Sequence, residues 1–223
     1  MDVLHEDLER EYRLRFEKTA DYRNRVWRLL TKDFFQTYVP IDGVVLDLGC
    51  GWGEFVTNIR ARVKYGMDLN PESGRKLSPG VTFLKQDCSE RWPLPDASLD
   101  TVFSSNFLEH LPTKTSVHDA LAEAWRCLKP GGRLVCVGPN VRYLPGEYWD
   151  FWDHQVALSE RSLGELLELI GFRIEVSTAR FLPYSMSQGF TPPTVFLSIY
   201  LRLKSVWPVF GKQFLVVAKK SDR

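Results

Sequence analysis

The sequence predicts one α/β domain built around a mostly parallel sheet. Its 223 residues suit a single large domain better than two. Hydrophobic residues make up 44% and charged residues 26%, which is typical of a chain that folds around a buried core. Short apolar runs alternate with helical patterns along most of the chain, and this alternation indicates βαβ units whose helices cover both faces of a parallel sheet.

The first 40 residues predict a helical extension ahead of the sheet. Apolar residues recur there at helical spacing among many charges, and Pro40 ends the pattern. These apolar residues are Tyr22, Val26, Leu29, Leu30 and Phe34. We interpret residues 1–40 as a helical lid and residues 41–223 as the main domain.

Seven short strands and four helices are predicted after Pro40. The predicted strands are residues 44–48, 64–67, 81–84, 101–104, 133–137, 172–177 and 213–218. The predicted helices are residues 54–62, 71–77 and 116–128, and one that begins near Ser159 or Ser162 and ends at Gly171. Ser162 and Glu165 have capping-box spacing, and Gly171 suits a left-handed C-terminal position. Pro130 and the glycines after it predict a turn into the fifth strand.

Charge and cysteine spacing exclude several functional classes. The chain has 29 Lys and Arg residues and 28 Asp and Glu residues, so it has no strong positive electrostatic field that would favour a nucleic-acid partner. The four cysteines lie far apart, without C-x-x-C spacing or a suitably spaced His, so we expect neither a metal site nor a disulfide framework. The charged N-terminus does not resemble a signal peptide, and we therefore expect a cytoplasmic protein.

The C-terminal region is both basic and apolar. From Arg180 to Arg223, seven Lys and Arg residues and one acid give a net charge of +6. We interpret residues 181–211 as a helical insertion between the last two strands. In a helix over 194–207, one broad face would carry Val195, Phe196, Ile199, Tyr200, Leu203, Val206 and Trp207.

This apolar face has two interpretations. It could dock on an anionic membrane, peripherally, or grip a lipid-linked acceptor. It could instead cover the sheet or a dimer partner. Leu197 and Leu201 interrupt the otherwise polar opposite face.

Residues 44–55, with the sequence VVLDLGCGWGEF, predict a site for a nucleotide-like cofactor. An apolar strand ends in an acid there, and three alternating glycines lead into a helix. Glycines at the carboxyl end of a strand let backbone N–H groups approach a ligand closely. The spacing G-x-G-x-G differs from the dinucleotide fingerprint, and no phosphate-binding G-x-x-x-x-G-K-[ST] loop is present. A tight structural turn is the alternative.

Acids near the ends of the next two strands support a cofactor site. Asp68 lies 21 positions after Asp47, where a carboxylate can accept both hydroxyls of a ribose. Asp87 follows the third strand and could accept from an adenine amino group. These positions favour an adenosine-containing cofactor.

These residues together resemble class I S-adenosylmethionine-dependent methyltransferases of the small-molecule type, related to the quinone-biosynthesis methyltransferases. The resemblance covers about residues 44–172. It rests on DLGCGWG at 47–53, LPDASLD at 94–100, SSNFLEHL at 104–111 and LKPGGR at 128–133, with Asp68 and Asp87. It implies a Rossmann-like, seven-stranded, mostly parallel sheet in the order 3-2-1-4-5-7-6, with strand 7 antiparallel.

The resemblance also implies which residues hold S-adenosylmethionine. The residues expected to contact the methionine moiety are Asp47, Gly49, Cys50, Gly51 and Gly53. Those for the adenosine are Asp68, Leu69, Asp87 and Cys88, and those near the sulfonium are Asn106 and Phe107.

Methyl transfer from a sulfonium depends mainly on alignment, and a base is needed only if the acceptor starts protonated. The candidate catalytic residues are His154, His110 and Asp153, although each could serve in packing. The candidate substrate residues are Asn140, Arg142, Tyr148 and Trp149, which suit an acceptor with a ring or sugar plane. His5 and His118 are expected to face solvent.

We therefore expect a methyltransferase that acts on a small-molecule, sugar or lipid-linked glycan acceptor, with oxygen the favoured acceptor atom. The alternatives are N- or C-methylation of a small molecule and a non-catalytic S-adenosylmethionine-binding regulatory or assembly protein. A nicotinamide oxidoreductase is disfavoured by the glycine spacing. The sequence leaves the oligomeric state open.

Overall fold

The predicted strands form one seven-stranded sheet in the expected order, β3-β2-β1-β4-β5-β7-β6. The structure, a computed structural model, describes residues 10, 14, 17–184 and 191–221. The strands are β1 (Val44–Leu48), β2 (Val63–Asp68), β3 (Val81–Lys85), β4 (Leu99–Ser105), β5 (Leu128–Pro139), β6 (Phe172–Leu182) and β7 (Gln213–Lys220). Strands β1 to β5 pair in parallel, and β7 runs antiparallel to β5 and β6. The Rossmann-like fold class is therefore confirmed.

Helices lie on both faces of the sheet. They are α1 (Ala20–Asp33), α2 (Glu54–Asn58), α3 (Pro71–Lys76), α4 (Lys114–Cys127), α5 (Glu160–Ile170), α6 (Thr194–Arg202) and α7 (Trp207–Phe210). Short 3₁₀ turns cover Glu17–Thr19, Phe35–Tyr38, Leu108–His110, Glu147–Asp150 and Lys204–Val206. The predictions for His5 and for residues 185–190 of the C-terminal insertion lie outside the described residues.

Three local predictions need correction. Helix α2 ends at Asn58 because Ile59 is already extended, with its side chain buried. The capping box of α5 joins Ser159 and Ser162, whose hydroxyls each accept from the other's backbone N–H, and does not involve Glu165. The predicted turn at Pro130 lies inside β5, whose pairing with β4 is irregular at this point. Gly171 has φ of +115° and ends α5 as predicted.

Helix α1 contributes to the core on one face of the sheet. Val26, Trp27 and Leu30 are buried on its inner side. The Trp27 ring meets Phe55 of α2 and Phe103 of β4 edge-on, with centroid distances of 6.2 and 5.9 Å. The other face of the sheet is covered by α4 and α5. The lid role of residues 1–40 and the domain boundary at residue 41 stay predictions.

The C-terminal insertion packs differently from the predicted helix over 194–207. Helix α6 ends at Arg202, and the 3₁₀ turn separates it from α7. Leu201 and Trp207 are the buried side chains of these segments, although the helical projection places Leu201 among polar residues. Within the described part of the chain, no helix has both the length and the apolar character needed to cross a bilayer.

Candidate active site

The glycine-rich loop after β1 depends on left-handed backbone conformations. Gly49, Gly51 and Gly53 have φ of +70°, +52° and +78°. A Cβ on Gly49 would overlap the ring of Phe107, and one on Gly53 would overlap Leu77. Both the conformation and the available space therefore require glycine at these two positions.

The loop is tied to the end of the neighbouring strand β2. The backbone N–H groups of Gly49 and Cys50 donate to the carbonyl of Met67, at 2.9 and 3.0 Å. The Asp68 carboxylate accepts from the backbone N–H groups of Gly51 and Asn70, both at 2.9 Å. Hydrogen bonds thus connect the glycine loop and the predicted ribose carboxylate at the carboxyl edge of the sheet.

Asp47 lies beneath this loop and is 3% exposed. Its carboxylate accepts from the Val56 backbone N–H at 3.3 Å. Burial raises the pKa of Asp47 well above the ordinary carboxyl value, and the Val56 bond opposes this only in part. A ligand ammonium group beside Asp47 would favour its ionised form.

The predicted adenine residues lie at the ends of β2 and β3. The Asp87 carboxylate accepts from the backbone N–H and hydroxyl of Ser89, at 2.9 and 2.7 Å. The indole N–H of Trp92 holds the Cys88 carbonyl at 2.8 Å, and burial raises the pKa of the Cys88 thiol to about 12. Leu69 follows Asp68 and is 48% exposed, so an apolar side chain is accessible at the end of β2.

Asn106 and Phe107 complete the cofactor side at the end of β4. Asn106 has φ of +49°, an uncommon conformation for a residue with a side chain. Its backbone N–H donates to the Val137 carbonyl at 2.9 Å, which fixes the bend after the strand. The Phe107 ring packs against Gly49. The narrow glycine cradle, the carboxylates and the apolar Leu69 surface therefore fit the polar and apolar parts of S-adenosylmethionine.

The structure brings His110 and Asp153 together across 43 sequence positions. The His110 Nδ1 lies 2.8 Å from the Asp153 Oδ2, and both side chains are 24% exposed. Two backbone bonds hold the loops that carry them, because Gln155 and Val156 donate to the Glu109 carbonyl at 2.8 and 3.1 Å. The site therefore contains an oriented imidazole that solvent can reach.

His154 lies behind this pair and is 5% exposed. Its ring stacks on Phe151 with centroids 5.0 Å apart and meets Tyr148 edge-on at 4.8 Å. The rings of His154 and His110 are 4.9 Å apart. In this position His154 packs against the partly exposed imidazole of His110.

The predicted substrate residues fall into two groups. Asn140 and Arg142 both bond to Glu160 at the start of α5, and this network joins β5 to α5. Tyr148 is fully buried, and its hydroxyl donates to the Val156 carbonyl at 2.6 Å. Trp149 is 54% exposed, so its ring is the one in this group that an acceptor could contact.

Glu109 is a member of the cluster that sequence reasoning missed. Glu109, His110 and His154 place potential metal-ligand atoms within 4.8 Å of one another. A carboxylate with two imidazoles can bind a transition metal, although the sequence led us to expect none. The available signal was the pair Glu109-His110, but His154 joins it only in the folded chain.

Comparison with known proteins shows similarity to methyltransferases. Residues 46–136 match a family model described as a methyltransferase domain. Over 139 residues the chain is 32% identical to a probable S-adenosylmethionine-dependent methyltransferase of Mycolicibacterium smegmatis, covering 59% of this chain and 52% of that protein. Over 135 residues it is 30% identical to a probable chloroplastic tocopherol O-methyltransferase of Oryza sativa, covering 53% of this chain and 36% of that protein. The chain thus spans about half or less of these relatives' length.

Solved structures support the fold. A SAM-dependent methyltransferase from Archaeoglobus fulgidus superposes with a TM-score of 0.66 and 23% identity, covering 89% of this chain and 94% of that one. A possible histamine N-methyltransferase from Thermotoga maritima superposes with a TM-score of 0.69 and 20% identity, covering 99% of this chain and 100% of that one. The matched family model spans residues 46–136, and together with the sheet order these similarities support a class I S-adenosylmethionine-dependent methyltransferase fold with S-adenosylmethionine as its cofactor.

Proposed function

We propose that this protein transfers a methyl group from S-adenosylmethionine to an oxygen atom of a small-molecule, sugar or lipid-linked glycan acceptor. The observation that carries the proposal is the 2.8 Å contact between His110 and Asp153. An oriented, partly exposed imidazole suits an acceptor whose hydroxyl must lose a proton. The presence of O-methyltransferases among the chain's relatives supports the same acceptor atom.

The cofactor supplies a methyl group already bound to a good leaving group, so the protein's task is alignment. The glycine loop and Asp68 are assigned to the methionine and ribose portions. Asn106 and Phe107 line the end of β4, between that loop and His110. This arrangement directs the acceptor to the carboxyl edge of the sheet.

His110 is the proposed general base. Because Asp153 contacts Nδ1, the ring atom that receives the acceptor's hydroxyl proton is Nε2. As the oxygen forms its bond to the methyl carbon, the carbon–sulfur bond breaks and the O–H proton stays on His110. The Asp153 carboxylate stabilises the resulting imidazolium, and the Glu109 carboxylate, 3.9 Å from Nε2, adds to this stabilisation.

His154 is a positioning residue in this proposal. Its buried ring, packed against Phe151 and Tyr148, restricts the orientation of the His110 ring. Trp149 is assigned to the acceptor because its exposed ring could stack on a sugar or aromatic plane. Asn140 and Arg142 support the loop through Glu160 and are not assigned to acceptor contact.

The first test supplies methyl-labelled S-adenosylmethionine and a cell extract to the purified protein. The products are separated into organic, small aqueous, polysaccharide and protein fractions, and the linkage of the new methyl group is determined by mass spectrometry. We expect an O-methyl product outside the protein fraction. An N- or C-methyl product would replace the proposed acceptor atom, and cofactor binding without any label would favour the non-catalytic alternative.

The second test compares two histidines that each contact an acid. His110→Gln should lower the initial labelling rate by about 10²- to 10⁴-fold at saturating cofactor, with cofactor affinity unchanged. His118→Gln is the matched control, because His118 lies 3.0 Å from Asp119 on the exposed face of α4. Equal rates for the two variants would refute the base assignment.

Treatment with a metal chelator distinguishes the base from a metal-bound site. We expect the labelling rate to stay unchanged. A rate that is lost with the chelator and restored by a divalent ion would instead assign Glu109, His110 and His154 to a metal.

A further inference from the structure

Among the described residues of the C-terminal insertion, six large apolar side chains face outward. They are Val195, Phe196, Ile199, Leu203, Val209 and Phe210, each between 49% and 63% exposed. We call these residues the apolar surface. The same segments bury Leu201 and Trp207 against the body, so the insertion is already anchored without the apolar surface. Core packing therefore does not account for the six outward-facing residues.

The apolar surface is accompanied by positive charge. Arg202 and Lys204 are exposed and lie between its members in the sequence. Residues 176–221 contain six Lys and Arg and no Asp or Glu. Among the described residues, Asp33 accepts from Ser198 of the insertion at 3.4 Å, and Glu147 pairs with Lys212, which directly follows the insertion, at 2.7 Å. Neither of these two contacts involves Arg202 or Lys204.

The insertion is held firmly at the carboxyl edge of the sheet, where the candidate active site lies. The Lys212 backbone N–H donates to the Leu182 carbonyl at 2.8 Å, and its carbonyl accepts from Asn140 at 3.0 Å. The Arg180 guanidinium donates to the carbonyls of Gly211 and Val209, at 2.7 and 2.6 Å. The insertion that carries the apolar surface is thus joined at both ends to the active-site edge.

We propose that the apolar surface, with Arg202 and Lys204, binds the surface of an anionic lipid bilayer. Apolar side chains with flanking Lys and Arg are the pattern of segments that lie in the membrane interface. A second copy of this chain fits the apolar surface less well. A two-fold interface pairs the same patch of both subunits, so it would place Arg202 and Lys204 near the same positive residues of the other copy. Combined with the proposed function, on which this last step rests, the docking would bring a lipid-linked acceptor to the active-site edge.

The test is flotation of the full chain with two kinds of vesicle. One contains phosphatidylcholine alone, and the other contains phosphatidylcholine mixed with phosphatidylglycerol. We expect the protein to float with the second kind and to dissociate as salt is raised, because salt screens the attraction. Absence of flotation with the anionic vesicles would overturn the proposal.

Paired variants separate the two contributions. The combination Phe196→Ser with Phe210→Ser should weaken anionic-vesicle binding by about tenfold or more. The combination Arg202→Gln with Lys204→Gln should weaken it by about fivefold per charge. The matched control is the combination Leu169→Ser with Arg173→Gln, which replaces one exposed apolar residue and one exposed positively charged residue outside the insertion. This control should leave vesicle binding unchanged.

Two further measurements keep this proposal separate from the proposed function. Titration with S-adenosylmethionine should give the same affinity for every variant, since none lies in the cofactor site. Light scattering during gel filtration would detect a second copy. Self-association that depends on Phe196 and Phe210, without vesicle binding, would identify the apolar surface as a dimer interface and overturn the lipid assignment.

Discussion

The proposed cofactor side and the proposed acceptor side of the site are built in different ways. The glycine loop lies within residues 47–53 and is held by backbone bonds to the adjacent strand. The acceptor side joins His110 to Asp153 from two loops that are 43 positions apart. The first depends on conformations that only a few residues tolerate, whereas the second depends on how two loops pack. Substitutions should therefore damage the two sides through different physical causes.

The largest expected effect comes from Gly49→Ala on the cofactor side. Alanine must adopt φ of +70°, and its Cβ would overlap the Phe107 ring. The left-handed conformation alone costs about 1–2 kcal/mol, and displacing the ring would distort the cradle. We expect isothermal titration calorimetry to show at least a 100-fold loss of S-adenosylmethionine affinity, about 2.7 kcal/mol.

Gly80→Ala separates conformational strain from crowding. Gly80 has φ of +90°, but no heavy atom lies within 4 Å of the position that a Cβ would take. This variant should lose about 1–2 kcal/mol of stability and keep its cofactor affinity. If both variants bound the cofactor normally, the close approach of Gly49 to Phe107 would have no role in binding.

A smaller effect is expected from Tyr148→Phe on the acceptor side. The change leaves the Val156 carbonyl and the Leu158 backbone N–H without their contacts to the hydroxyl. Losing buried partners of this kind costs about 1–3 kcal/mol, and the loop that carries Asp153 should loosen. We expect a lower melting temperature and a reduced labelling rate, with cofactor affinity unchanged.

Tyr200→Phe provides the control for that prediction. The Tyr200 hydroxyl donates to the Phe181 carbonyl at 2.7 Å, in the C-terminal insertion. Its loss should lower the melting temperature without changing the labelling rate on a water-soluble acceptor. A similar rate loss in both variants would mean that general destabilisation, and not the loop carrying Asp153, reduces activity.

The last prediction is a pH dependence that originates at Asp47. Burial raises the folded-state pKa of Asp47 above its unfolded value, near 3.8, so the folded chain holds a proton that the unfolded chain has released. The free energy of unfolding should therefore fall as pH rises from the ordinary carboxyl pKa towards the raised folded-state pKa.

Urea unfolding without cofactor, repeated across this pH range, measures the Asp47 contribution. Asp47→Asn should lose this pH dependence, so its free energy of unfolding should rise relative to that of the wild type as pH rises. Asp42→Asn, at an exposed position, should keep the wild-type slope. Parallel slopes for wild type and Asp47→Asn would show that Asp47 does not titrate differently in the folded chain.

Particular residues show why one side was easier to predict than the other. The glycines of the β1 loop carry their conformational preference in the sequence itself, so the turn and its ligand class could be predicted together. The pairing of His110 with Asp153 could not be predicted, because adjacency of Asp153 and His154 in sequence does not say which one meets a distant imidazole. Glu109 was missed because its burial depends on the loop that folds over it.

The C-terminal insertion shows the same limit. Helical periodicity grouped Phe196 and Ile199 with Trp207, but α6 ends at Arg202 and Trp207 turns inward. Which face of a short apolar helix is buried depends on the surfaces available to it, here α1 and β6. A sequence in which both faces contain leucines does not specify that choice.

By itself, the sequence determined the alternation of strands and helices, the glycine loop, the left-handed end of α5 at Gly171 and, through its resemblance to a known family, the strand order. These features follow from local conformational preferences and from residue types with few substitutes. Only the tertiary structure decided that His110 pairs with Asp153, that His154 is buried and that the C-terminal insertion exposes an apolar surface. These outcomes follow from contacts between distant segments, whose partners are known only when the chain is folded.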